Sequence, residues 1–259
     1  MSVRDRVVVV TGGGRGIGRA MALGLADAGA RVVVTASHEI DETGRALGDR
    51  GLALVADVGR AEDCDRVIET TLSRFARLDV LVNNAGRGMK YVSERFLSEP
   101  PPFWEVTPEV QRMIVDTNVN GPFFMARAAV RTMIAAGWGR IVNVSASQST
   151  MSRAGTSPYG SSKAALESAT QIWSNDLART GVTVNALLPG GPVETGMVPS
   201  AVPAETRAKM RRPEIMVAPI LWLASERSDG VSGRRIVADR WRDDAPDAAI
   251  EEIREERKT

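Results

Sequence analysis

Tyr159 and Lys163 stand four residues apart in the run Tyr159-Gly160-Ser161-Ser162-Lys163, a spacing that puts both side chains on one face of a helix. A phenol has a reference pKa of about 10 and is a poor proton-transfer group near neutral pH. A neighbouring ammonium favours the phenolate and lowers that pKa, which brings acid–base chemistry within reach. Alone, the pair is a weak signal, because it also describes an ordinary helix surface.

A second cluster gives it context. Val10-Thr11-Gly12-Gly13-Gly14-Arg15-Gly16-Ile17-Gly18 lies between a β-branched run and a helical pattern. Glycines let such a turn close tightly and bring backbone near a pyrophosphate, while the helix amino terminus offers free N–H groups and a favourable dipole. The turn predicts a nicotinamide dinucleotide site. Cofactor preference is read where the second strand ends, at Thr35-Ala36-Ser37-His38, with no acid before Glu39. An NAD site usually places a carboxylate there for the ribose 2′-hydroxyl. Ser37 and His38 can instead donate to a 2′-phosphate that Arg15 faces, so NADP(H) is expected, with NAD(H) as the alternative. His38 is the only histidine, and nothing supports a metal site.

With Asp57-Val58, Asn83-Asn84-Ala85-Gly86, Asn118 and Pro189-Gly190 in the same order, the chain resembles the classical short-chain dehydrogenase/reductase family over approximately residues 5–239, in particular members like the 3-oxoacyl-carrier-protein reductases. The resemblance implies hydride transfer between the cofactor and a carbonyl or secondary alcohol. Tyr159 would be the acid/base, Lys163 would assist it and hold the nicotinamide ribose, and Asn118 would hold a water in a proton relay. Gly12, Gly14, Arg15, Gly16, Ile17 and Gly18 would cradle the pyrophosphate. Asp57 and Val58 would take the adenine, and Asn84, Ala85 and Gly86 would border the cofactor. Pro189, Gly190, Val193 and Thr195 would pass near the carboxamide.

One departure bears on activity. The family usually has a serine thirteen residues before the tyrosine to polarise the carbonyl, and Ala146 stands there, between Ser145 and Ser147. Adjacent strand side chains point opposite ways, so neither serine simply replaces it. Three explanations stay open: an engineered change, a hydroxyl supplied by Ser147 from the turn beyond the strand, or reduced activity. Losing one oxyanion-type donor costs roughly 2.7–4 kcal/mol, about 10²–10³ in rate, which leaves a slow enzyme. The alternative is a non-catalytic or weakly active dinucleotide-binding or scaffolding protein. Near the end, Asp239-Arg240-Trp241 departs from the family's usual Asp-Gly-Gly.

The elements that must position these residues are strands near Val7–Thr11, Arg31–Ala36, Leu52–Asp57, Val80–Asn83, Gly139–Val144, Val182–Leu187 and Arg235–Ala238. Helical patterns between them require crossovers, hence a mainly parallel sheet covered on both faces. The fold class is α/β, a single Rossmann-type domain over 1–241 that includes the substrate site, followed by a charged tail, 242–259, read as a short solvated helix. Long helices are expected at about 108–136 and 159–178. Residues 87–108, with Pro100-Pro101-Pro102, Phe96, Phe103 and Trp104, read as an excursion packed by aromatics. Residues 191–213 read as a mobile segment over the sheet edge, and Trp104, Met151, Met197 and Met210 are candidates for an apolar pocket.

The 259 residues are 43% hydrophobic and 25% charged, enough for a large core. A formal net charge of +1 gives no basis for capturing nucleic acid or an acidic membrane. No stretch approaches the roughly 20 apolar residues that span a bilayer, the start does not read as a secretory signal, and Cys64 is the only cysteine. A cytoplasmic protein is expected, acting on a small carbonyl or alcohol substrate, and the resemblance suggests a homotetramer or homodimer.

Overall fold

The computed structural model describes residues 3–253. Its first strand, β1 (Val7–Thr11), is four valines and a threonine, all buried. Side chains alternate along a strand, so Val8 and Val10 enter one core with Val32, Val34, Val80 and Val82. Val7 and Val9 enter the other, with Val33, Leu81, Ile141 and Val184. Such uninterrupted β-branched runs suit strands buried on both faces.

The chain continues through α1 (Gly16–Asp27), β2 (Arg31–Ala36), α2 (Asp41–Leu47), β3 (Gly51–Val55), α3 (Ala61–Phe75) and β4 (Val80–Asn83). There follow α4 (Pro108–Val115), α5 (Gly121–Ala135), β5 (Gly139–Val144), α6 (Gln148–Ser152), α7 (Tyr159–Asp176) and β6 (Val182–Leu188). The last elements are α8 (Ala204–Ala208), α9 (Val217–Leu223), β7 (Arg234–Val237) and β8 (Ile250–Glu252). Among the described residues the sheet order is β3-β2-β1-β4-β5-β6-β7-β8. β1 through β7 run parallel. Strand order reverses between β1 and β4, and in such sheets the carboxyl edge at the reversal is the usual ligand position.

The structure corrects two sequence expectations. The 108–136 helix is broken by a π-helical turn at Asp116–Asn120. Pro122 at the start of α5 has no N–H to offer the carbonyl four residues back, that of Asn118, so the helical register slips there. Residues 242–259 were expected to form a solvated helix outside the domain. Their described part instead forms a 3-10 turn, Pro246–Ala249, and then β8. β8 lies antiparallel to β7, with Arg235 opposite Glu251 and Arg234 opposite Glu252. Charges that look solvated in sequence are cross-strand ion pairs, and β8 becomes the terminal strand beyond β7. Residues 254–259 lie outside the described residues. Within the 191–213 segment, a parallel bridge joins Val193 to Arg211 and the chain between them carries α8.

Candidate active site

At the end of β1 the chain turns through Gly12, whose φ of +65° lies in the left-handed region, and a Cβ there would sit 2.8 Å from Ala85 Cα. On Gly18 a Cβ would come within 2.2 Å of the Gly12 carbonyl oxygen. Asn84 locks the turn to β4: its Nδ2 donates to the carbonyls of Thr11 (2.8 Å) and Gly12 (3.1 Å). In return Thr11 Oγ1 accepts from the Asn84 and Ala85 N–H groups, each at 3.0 Å. Arg15 precedes α1 in extended conformation, and no side chain caps that helix. The glycine packing and uncapped amino terminus fit a pyrophosphate approached by backbone.

Beyond β2, Ser37 and His38 are exposed and bonded to each other, Oγ to Nδ1 at 2.8 Å. Arg15 is paired with the Glu39 carboxylate at 3.0 Å, and the Glu39 backbone crosses directly over Gly14. Glu39 is the first acid after β2 in the sequence. Its left-handed φ of +54° folds it back. Asp57 Oδ1 accepts from the Gly59 N–H at 2.9 Å, while Val58 is buried against Gly121.

Tyr159 opens α7 half-buried, and Lys163 one turn on is buried. Lys163 Nζ donates to the Val144 carbonyl at 2.7 Å and lies 5.8 Å from the centre of the Tyr159 ring. Asn118, fully buried in the π turn, accepts from the Arg87 N–H (2.8 Å) and donates to Arg87 O and to Ser162 Oγ, both at 2.9 Å. It thereby ties the loop after β4 to α7. Arg87 and Ser162 escaped sequence reasoning, since only the fold brings them to Asn118.

The electrostatics differ from the sequence expectation of a lowered phenol pKa. Burial pushes the Tyr159 phenol up to about 12. Burial also draws Lys163 down to about 8, against the opposing pull of the Glu167 carboxylate. Desolvation disfavours the charged form of each group, and it is the largest influence on both. Burial therefore favours the neutral phenol of Tyr159 at physiological pH.

The two serines around Ala146 are engaged elsewhere. Ser145 Oγ donates to Glu167 Oε1 at 2.8 Å, in the interior. Ser147 is the N-cap of α6, accepting from the Thr150 N–H at 3.4 Å, with the Ser149 and Thr150 hydroxyls at 3.0 and 2.8 Å. Ala146 itself is buried at the strand end.

The opposite wall follows β6. Pro189 leads to Gly190, whose φ is +86° and where a Cβ would collide with the Asp239 carboxylate. Thr195 reaches the glycine turn, its methyl 3.2 Å from where a Gly16 Cβ would be. Met197 lies over the glycines after β4, with its methyl carbon 3.7 Å from a Cβ on Gly86 and its sulfur 3.5 Å from one on Gly88. A cavity of about 600 Å³ opens beside this segment, bordered by Lys90, Thr195, Gly196, Val198, Arg207 and Arg212. Of the proposed pocket residues, Trp104 does not reach the interior. It is 72% exposed and stacks edge-on against Phe103. The excursion is seated instead through Pro100, packed on Gly155 in the connection leading to Tyr159. Among the described residues no cluster of His, Cys, Asp or Glu is placed to hold a metal, and no helix is long and apolar enough to cross a membrane.

Comparison with known proteins gives this geometry its family. The short chain dehydrogenase model matches residues 6–206. A 3-oxoacyl-[acyl-carrier-protein] reductase of Synechocystis sp. is 36% identical over 191 residues, 71% of this chain and 73% of that protein. Among solved structures, the 3-ketoacyl-(acyl-carrier-protein) reductase of Brucella melitensis complexed with NADH superposes with a TM-score of 0.80 at 28% identity, covering 90% of this chain and 96% of that one. A Beutenbergia cavernae protein described as an NAD(P)-dependent gluconate 5-dehydrogenase, with bound NADP, also scores 0.80, at 32% identity and 92% and 96% coverage. The chain belongs to the short-chain dehydrogenase family of NAD(P)-binding oxidoreductases and resembles its 3-oxoacyl-carrier-protein reductases.

Proposed function

We propose that this protein transfers hydride between NADP(H) and a carbonyl or secondary alcohol of moderate size, with Tyr159 as the proton donor and acceptor. The observation that carries the reading is the placement of the neutral Tyr159 phenol beside Lys163, at the same sheet edge as the uncapped glycine turn. The nicotinamide supplies or takes up the hydride. Gly12 to Gly18 hold the pyrophosphate, Ser37, His38 and Arg15 hold the 2′-phosphate, and Asp57 and Val58 flank the adenine. Asn84, Ala85, Gly86, Pro189, Gly190, Val193 and Thr195 complete the cradle. In the reducing direction Tyr159 gives its proton to the carbonyl oxygen, so no free alkoxide forms. Lys163 stabilises the phenolate left behind, and Asn118 positions the relay that restores the proton. Preference for NADP(H) is supported by the lack of an acid among Thr35, Ala36, Ser37 and His38, although the Glu39 carboxylate holds Arg15. Arg15 would have to leave Glu39 to meet a 2′-phosphate.

Ala146 favours a second reading, a weakly active or non-catalytic dinucleotide binder, because Ser145 and Ser147 are both bonded elsewhere. For Ser147 to supply the missing hydroxyl, its O–H would compete with its bonds to the Ser149 and Thr150 hydroxyls. As a family member the protein is expected to work in the cytoplasm as a homotetramer or homodimer. The deciding assay follows oxidation of NADPH and NADH over a panel of aldehydes and ketones, with Tyr159→Phe as control. Turnover that disappears in the variant supports the reductase. Saturable cofactor binding without turnover supports the binder.

A further inference from the structure

Behind the Tyr159 and Lys163 pair lies a buried set of charges that the proposed reaction does not use. Glu167 sits one helical turn beyond Lys163 on α7, so the two share a face. Both are 4% exposed. They are also gripped by successive residues of one strand end: Lys163 Nζ by the Val144 carbonyl at 2.7 Å, and Glu167 Oε1 by the Ser145 hydroxyl at 2.8 Å. From β7, Arg235, itself 4% exposed, brings Nε to 3.5 Å from the same carboxylate oxygen. Its Nη2 donates to the Ala146 carbonyl at 3.4 Å. Behind Arg235 stands Glu251 of β8, at 3.8 Å.

A carboxylate this deep is costly unless it is paired and hydrogen-bonded. Arg235 and Ser145 meet that need from one side, and the nearest cation on its own helix is Lys163. Burial raises the Glu167 carboxyl pKa, with Glu251 adding to the rise; Ser145, Arg235 and Lys163 oppose it. Lys163 has Glu167 as its anionic neighbour, while Tyr159 on its other side is a neutral phenol.

We propose that Glu167, fixed by Ser145 and Arg235, is a positioning residue for Lys163, a buried counter-charge that keeps the lysine cationic and aimed at the active-site strand end. The inference rests on the functional reading for its consequence in turnover, but not for the charge coupling itself.

The test uses the full chain, which has only four lysines, Lys90, Lys163, Lys209 and Lys258, so that lysine Cε resonances can be labelled and followed with pH. Loss of one resonance in Lys163→Met assigns the signal. The wild-type Lys163 midpoint is expected near 8, and Glu167→Gln should lower it by about one unit. Glu167→Asp, which keeps the charge, should restore most of that shift. In steady state, Glu167→Gln should move the alkaline limb of kcat to lower pH with little change in substrate KM. Should Glu167→Gln not fold, Ser145→Ala, which releases the carboxylate without removing it, should still lower the Lys163 midpoint. A Lys163 midpoint unmoved in a folded Glu167→Gln protein, or in Ser145→Ala if Glu167→Gln does not fold, overturns the proposal. Absence of Tyr159-dependent turnover overturns the functional reading instead, and leaves the lysine titration to decide this one.

Discussion

The two edges of the parallel sheet both bury charge, and they use it in opposite ways. At the amino edge, Asp79 just before β4 accepts from the Val7 N–H at 2.8 Å and from both Arg6 (3.3 Å) and Arg77 (2.6 and 2.9 Å). Arg6 and Arg140 lie over the Trp138 ring, 3.7 and 4.0 Å from its centre, and Arg140 is paired with Asp229. Asp79 is thus surrounded by donors. At the carboxyl edge, the phenol of Tyr159 and the ammonium of Lys163 are desolvated with far fewer partners, and their proton affinities shift accordingly. Saturated charge supports the fold, whereas under-compensated charge is available for chemistry.

The comparison breaks most sharply at its two extremes. Tyr159→Phe should lower kcat by about 10²–10⁴-fold while the thermal midpoint stays within about 2 °C, measured by paired kinetics and melting. Asp79→Ala should do the reverse. It should cost about 2–4 kcal/mol of unfolding free energy in urea, with kcat per folded molecule preserved. If Asp79→Ala instead lowered kcat as strongly as Tyr159→Phe, the two edges would not be functionally separate.

Ala146→Ser sharpens the comparison from the reactive side. If a missing carbonyl-polarising hydroxyl limits the reaction, kcat should rise by about 10²-fold. No rise in an assay where Tyr159→Phe is inactive would point to Ser147 or another donor. Arg15→Ala should weaken NADPH binding by about tenfold, on the order of 1.4 kcal/mol, and leave NADH nearly unchanged in a fluorescence titration. An equal loss for both coenzymes would remove Arg15 from the 2′-phosphate.

The smallest effect is one of pH. Lys163 holds its proton less tightly in the folded chain, near 8, than in the unfolded chain, near 10.5. Between those values the unfolded state binds more protons, so this residue's contribution to stability rises with pH. Below about 8 its full penalty applies. Wild type should therefore gain on Lys163→Met in urea midpoint as pH increases from about 8 to about 10. A gap that stays constant over that window would place the folded lysine at its ordinary value.

Much of this was legible in the chain because it is local. Four consecutive valines running into glycines specify a buried strand and a tight turn through backbone sterics alone, and Tyr159 and Lys163 are tied by helical period. The family pattern assigns expected roles to Asn118, Asp57 and Pro189 by order and spacing. β8 was hidden because Glu251 and Glu252 read as solvated until Arg234 and Arg235 lie opposite them. The π turn was hidden because Pro122 removes a hydrogen bond without ending the helix.

The sequence by itself determined the α/β alternation, the glycine turn and the absence of a hydroxyl at position 146, since these follow from residue type and near-neighbour geometry. Tertiary structure alone decided which way the phenol titrates, that Ser145 serves Glu167 while Ser147 caps α6, and that Glu39 returns to Arg15. Those outcomes depend on desolvation and on partners distant in the chain. Burial and long-range pairing are properties of the packed molecule, and no local pattern encodes them.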